Sequence, residues 1–183
     1  MMFHALSICA LAFVASAAIV RTRADDDTTE LGSFYAYGQN LSGLPIFFNH
    51  AIAYIGYEAS SNASTVANIT FTEQSANSSL TVTPNNTVSL SASNFYINRE
   101  AGAFSTAGFT NASTSSDSVT TTGFALYGSQ LVWISDAGEL EQKWWAVPTA
   151  NKTNLYTLNW NVENVLSESA VPVVVKNKAP AST

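Results

Sequence analysis

The sequence predicts an all-β protein with antiparallel strands, a β-sandwich first, with a closed β-barrel or a β-trefoil-like arrangement as the alternatives. Three observations carry this. Short segments alternate apolar and polar residues at the period of two that a half-buried strand requires, as in Asn68-Ile69-Thr70-Phe71-Thr72-Glu73. The segments are rich in aromatic and β-branched residues and are bounded at short spacing by Gly, Pro, Asn and Ser. No window shows the apolar stripe of an amphipathic helix beyond a single turn in ENVLSES, residues 163–169.

In chain order, the strand candidates begin with SFYAYG (33–38), LPIFF (44–48) and AIAYIGY (51–57). Asn49 and His50 join the last two, and Asn tolerates the positive φ of a tight hairpin turn. A meander follows. Ile69 and Phe71 point one way and Asn68, Thr70 and Thr72 the other, and the alternation continues through Leu80-Thr81-Val82-Thr83 and Val88-Ser89-Leu90. Then come SNFYIN (93–98), TTGFALY (121–127), QLVWIS (130–135), KWWAV (143–147), NLYTLNW (154–160) and VPVVV (171–175). Gly128-Ser129 joins FALY to QLVWIS in a second hairpin. The two hairpins resemble each other at a spacing too wide for a solenoid, and read as convergence or an old duplication. About a dozen short strands at this spacing suit a sandwich or a closed barrel.

The organisation expected is a signal peptide over 1–17, a flexible acidic segment over 18–30, one all-β domain over 31–176 and a disordered tail over 177–183. Leu6 to Val14 is an apolar run, followed by the small-x-small site Ala15-Ser16-Ala17. The run is shorter than the roughly 20 residues that span a bilayer, so stable membrane insertion is not expected. Cleavage would remove Cys9, the only cysteine, and leave a chain without thiols. A domain of about 150 residues buries enough surface to fold without disulfides. The net charge of −6 gains nothing from contact with phosphates, which argues against nucleic acid and anionic membranes as partners.

Seven Asn-x-Ser/Thr triplets occur, at Asn40, Asn62, Asn68, Asn77, Asn85, Asn111 and Asn151. Chance placement of Ser and Thr after the 16 asparagines would give about four. Most stand beside turn residues, where the chain is at the surface, and Asn68 stands on the polar face of its strand. All seven are candidate N-glycosylation sites on a secreted protein.

Catalytic constellations are not evident. His50 is the one histidine after the apolar run, so neither a Cys/His pair nor a multi-histidine metal site can be built, and it reads as a turn residue. Asp136, Glu139 and Glu141 form the densest carboxylate group in the folded part. Asp136-Ala137-Gly138 reads as a hairpin turn, with Glu139 and Glu141 on the solvent face of the next strand. Asp25-Asp26-Asp27 and Glu30 lack the glycine-punctuated loop of a calcium site. No catalytic residue, metal or cofactor is therefore assigned. Trp133, Trp144, Trp145 and Trp160 are the candidate carbohydrate-binding residues. Adjacent Trp144 and Trp145 must face opposite ways, which makes one a candidate for exposure and sugar stacking, although core packing is the ordinary role of an indole.

The run GLPIFFNHAIAYIG (43–56), the Ser/Thr/Asn-rich meander and GFALYGSQLVWISDAGELEQKWWAVPTANKTNLYTLNW (123–160) together resemble small secreted or cell-wall-associated proteins of filamentous fungi, including those related to the phialide-type wall protein. The likeness lies in order and character over residues 31–165, and this chain lacks the cysteines of some relatives. It implies an extracellular or wall location and a compact β domain, with no catalytic residues to carry over. The expectation is thus a secreted, N-glycosylated, non-catalytic protein of the cell surface or wall, with wall polysaccharide as candidate partner. A carbohydrate-binding module and a glycoside hydrolase are the alternatives. Oligomeric state is not legible in the sequence.

Overall fold

The computed structural model describes residues 27–57, 65–112, 118–150 and 152–181. The expected signal peptide, with Asn62 and Asn151, lies outside them. The described residues contain no helix and form sixteen strands. They are β1 (Thr28–Gly32), β2 (Tyr35–Gly38), β3 (Leu41–Asn49), β4 (Ile52–Gly56), β5 (Val66–Gln74), β6 (Ser79–Pro84), β7 (Asn94–Asn98) and β8 (Phe104–Thr106), followed by β9 (Gly108–Thr110), β10 (Val119–Thr120), β11 (Phe124–Tyr127), β12 (Gln130–Ile134), β13 (Leu140–Glu141), β14 (Trp144–Pro148), β15 (Leu155–Asn161) and β16 (Val171–Lys176).

All pairings are antiparallel, and they close on themselves. The circuit β3-β5-β6-β7-β9-β4-β15-β14-β16-β2 returns to β3, a closed barrel of ten strands braced by the pairing of β3 with β4. The barrel, not the sandwich, is therefore the architecture. The reason lies in strands that serve two neighbours. The first half of β3 pairs with β2 through Leu41 to Pro45, while Phe47 to Asn49 pair with β5 on Asn68 to Val66. Likewise β15 pairs with β4 through Leu155 to Thr157 and with β8 through Asn159 to Asn161. Strands that change partner along their length turn the corners that would otherwise be free sheet edges. A register shift at Ala36/Tyr37 and Gly43 at φ 85 lie in the β2–β3 hairpin, where such a bend is needed.

The β1 strand corrects the expected boundary. Thr28, Thr29 and Glu30 belong to the sheet, paired with Gln74, Glu73 and Thr72 of β5, and not to a flexible segment. The β3–β4 turn also differs by one residue: His50 and Ala51, at φ 49 and 62, are its two central residues, between the paired Asn49 and Ile52.

Alternation places the core as the pattern demands. Ile69, Phe71, Leu80 and Val82 are buried and Asn68 is exposed. An aromatic chain runs through the interior: Phe34 meets Phe71, Phe71 meets Phe95, and Phe95 also meets Phe109, Phe124 and Trp144. Trp144 then packs edge-on against Trp160, and Trp160 against Trp133.

The small sheet β11–β12–β13 lies over this aromatic core. It is tied at one flank by the Gln130–Lys176 pair with β16 and by Asn177 N donating to Ser129 O. At the other flank Phe124 N donates to Ser78 O of the β5–β6 turn. Both flanks are thus fixed to the barrel.

Candidate functional site

The four tryptophans fall inside. Trp133, Trp144, Trp145 and Trp160 are 7%, 1%, 8% and 0% exposed, so none offers a ring face for stacking on sugar. Trp144 and Trp145 do diverge, as neighbours on a strand must. Trp144 enters the core; Trp145 goes to the other face but is covered by Phe104 of β8, with ring centroids 5.7 Å apart. The expectation of an exposed indole is corrected by that neighbour, which arrives through the β8–β15 pairing. Trp133 donates Nε1–H to Thr122 O, and the Arg99 guanidinium lies over its ring at 5.8 Å.

What the indoles do form is the wall of a cavity of about 500 Å³. Trp133 and Trp160 line it together with Arg99, Ser135, Asp136, Ala137, Glu139, Glu141, Lys143 and Val162. Strand register explains the grouping. Trp133 of β12 pairs with Glu141 of β13, and residues 139, 141 and 143 follow at intervals of two, so their side chains share the face that carries Trp133 and Ser135.

The Asp136-Ala137-Gly138 turn forms as expected. Gly138 takes φ 81 and donates N–H to Ser135 O, Ser135 N donates to Glu139 O, and Glu139 N donates to Ser135 Oγ. Glu139 is exposed as expected and Glu141 is half-buried; both border the cavity, and Leu140 between them is also exposed, at 52%. A strand this short obeys the hairpin register set by β12 and not its own hydropathy.

Two ion pairs organise the charges. Arg99 Nη1 donates to Asp136 Oδ2 at 2.7 Å and Lys143 Nζ to Glu141 Oε2 at 2.8 Å. Asp136 is 87% exposed, so the first pair contributes at most about 1 kcal/mol. The second is more enclosed, with its side chains 25% and 20% exposed. Glu139 is the third carboxylate, which leaves the lining with one more acidic than basic group. Trp133 and Trp144 satisfy their indole N–H groups on Thr122 O and Leu131 O, whereas Nε1 of the wall residue Trp160 has no acceptor among the described residues.

His50 is exposed at the β3–β4 turn, beside Asn49 Oδ1 and Thr65 Oγ1. Glu30 is on β1, and the described residues contain no group of three or more His, Cys, Asp or Glu arranged to hold a metal. Among them no helix is long and apolar enough to cross a membrane. Sequence reasoning misses Arg99, Lys143, Ser135 and Val162. The legible signal is Glu139-x-Glu141-x-Lys143, charges of both signs on one strand face. Arg99 gives none, because it reaches Trp133 and Asp136 only through tertiary structure.

The five sequon asparagines within the described residues, Asn40, Asn68, Asn77, Asn85 and Asn111, are all exposed. Of the nine other described asparagines only Asn86, Asn154 and Asn164 are exposed, and Asn159 and Asn161 are buried. Asn40 sits at φ 61 in the β2–β3 turn, Asn77 in the β5–β6 turn, and Asn85 just after β6, where its N–H donates to Asn68 O.

No family model matches the chain, and neither a curated protein nor a solved structure matches it. The functional reading therefore rests on the residues themselves.

Proposed function

We propose that this protein is a secreted, N-glycosylated β-barrel that works outside the cell, at its surface or in its wall, through non-covalent contact. The observation that carries the reading is the exposure of every described sequon asparagine against three of nine of the others. A glycan can be carried only where the asparagine amide faces solvent in the folded protein, and the triplets are selectively placed there. The low fraction of charged residues, 11%, fits a surface made soluble by Asn, Ser, Thr and attached sugar. The resemblance to fungal wall-associated proteins supports the same location.

The test is the mass of the secreted protein before and after N-glycosidase treatment, with Asn→Gln substitutions at Asn40, Asn68, Asn77, Asn85 and Asn111. Stepwise loss of glycan mass over several of these positions is expected. A protein whose mass is unchanged by the glycosidase would refute the reading.

For the carbohydrate-binding alternative the four tryptophans are buried, while Tyr57 and Tyr127 are exposed and the polar cavity is a further candidate surface. For the hydrolase alternative, the carboxylates at the cavity are Asp136, Glu139 and Glu141, of which Asp136 is paired with Arg99 and Glu141 with Lys143.

A further inference from the structure

We propose that the cavity between the β12–β13 hairpin and the end of β15 is a binding site for a neutral, hydroxyl-rich small molecule, a saccharide unit that presents vicinal diols. Its volume, about 500 Å³, falls in the range of small-molecule sites. The lining makes the choice of ligand. Each ion pair sets a cationic donor directly beside a carboxylate: Arg99 with Asp136, Lys143 with Glu141. In each pair the cation meets one carboxylate oxygen, Oδ2 of Asp136 or Oε2 of Glu141. Lone pairs remain on both carboxylates, and an ammonium has three N–H donors to distribute.

Adjacent donor and acceptor suit a vicinal diol, in which one hydroxyl donates to the carboxylate while its neighbour accepts from the Lys143 ammonium. A neutral ligand leaves the existing pairs intact. A charged ligand must compete with them, and an anion would also meet the excess of carboxylates. The indoles contribute edges and not faces, because Arg99 already covers the ring of Trp133 and Trp160 is fully buried. Recognition therefore falls to the polar groups, with Ser135 and Glu139 completing the rim. This inference stands on the cavity and is independent of the glycans.

The experiment titrates the intact secreted protein by calorimetry and intrinsic fluorescence. The neutral probes are the methyl glycosides of glucose, galactose and mannose and their β-linked disaccharides; choline is the cationic probe and citrate the anionic one. Saturable binding of at least one neutral probe is expected, with a change in tryptophan emission because Trp133 and Trp160 line the site. Lys143→Met should weaken that binding by about tenfold, the loss of a charge-assisted hydrogen bond. Asp136→Ala, at an exposed position that leaves folding intact, should weaken it severalfold. Binding of choline or citrate alone, binding of no probe, or saccharide binding indifferent to both substitutions overturns the proposal. None of these outcomes alters the glycosidase mass shift, so the two readings fail separately.

Discussion

Replacing Phe95 by alanine strikes the point where the aromatic core converges. Its ring is fully buried and lies within 6.0 Å, centroid to centroid, of Phe71, Phe109, Phe124 and Trp144. Trimming the ring removes about 120 Å² of buried apolar surface, worth ~3 kcal/mol at about 25 cal/mol/Å². Its neighbours come from β5, β9, β11 and β14, and elements held from so many sides cannot all collapse into the gap. The residual cavity therefore raises the cost to about 4 kcal/mol. Against a total stability of roughly 5–15 kcal/mol, this is a large fraction. Urea denaturation followed by tryptophan emission measures it, and with a slope of about 2 kcal/mol/M the midpoint should fall by about 2 M. Tyr57→Ala, at an exposed position, is the control and should stay within about 0.5 kcal/mol. A Phe95→Ala midpoint within about 0.3 M of the parent at unchanged slope would refute the packing argument.

Other expectations follow from the same geometry. Phe104→Ala should uncover Trp145, shifting part of the emission to longer wavelength and costing about 1–2 kcal/mol; an unshifted spectrum would contradict the contact between them. Gly56 sits at φ 125, where an added methyl would collide with Asn154 O, so Gly56→Ala should destabilise by about 2–3 kcal/mol where β4 meets β15, read as a lowered melting temperature. Burial, and then the neighbouring Tyr35, hold the Tyr37 hydroxyl above the ordinary tyrosine pKa of 10.0. The folded state thus favours the neutral phenol, and this contribution is present below the ordinary value and lost as pH rises through the folded one. Tyr37→Phe should flatten the alkaline fall in melting temperature while costing about 1 kcal/mol at neutral pH for the lost bond to Lys178 O. In hydrogen exchange the amide of Glu141, on a two-residue strand with one neighbour, should open faster than those of Val132 and Trp133; equal protection would mean that β13 is anchored by more than β12.

The strands are legible because each carries its own period: Ile69 and Phe71 inward with Asn68 outward needs no knowledge of the rest of the chain. Closure is not legible. Whether Asn49 of β3 meets Val66 of β5 is a property of bends, and a one-residue choice at such a bend decides between a free edge and a joined one. The same limit explains Trp145. Its outward direction follows from its position next to Trp144, but the residue that covers it, Phe104, belongs to a strand far earlier in the chain. The carboxylates show the converse case. Hydropathy puts Glu139 and Glu141 in solvent; Glu139 stays exposed, pairing with β12 half-buries Glu141 beside the cavity, and Leu140 is left exposed.

That exposed leucine ties the two readings of the molecule together. Turning Leu140 to the cavity side would bury one apolar side chain but carry Glu139, Glu141 and Lys143 to the opposite face, since a shift of one residue inverts the whole strand. The observed register keeps an oily side chain in water and encloses the Lys143–Glu141 pair, whose desolvation disfavours it. Packing alone would choose the other face. What holds the observed one is the Ser135–Glu139 turn and the fixation of the β11–β13 sheet at Lys176 and Ser78, so the barrel's stability maintains a polar cavity that the hairpin would not adopt by itself. A locally unfavourable arrangement sustained by the surrounding fold is where a binding role is to be sought.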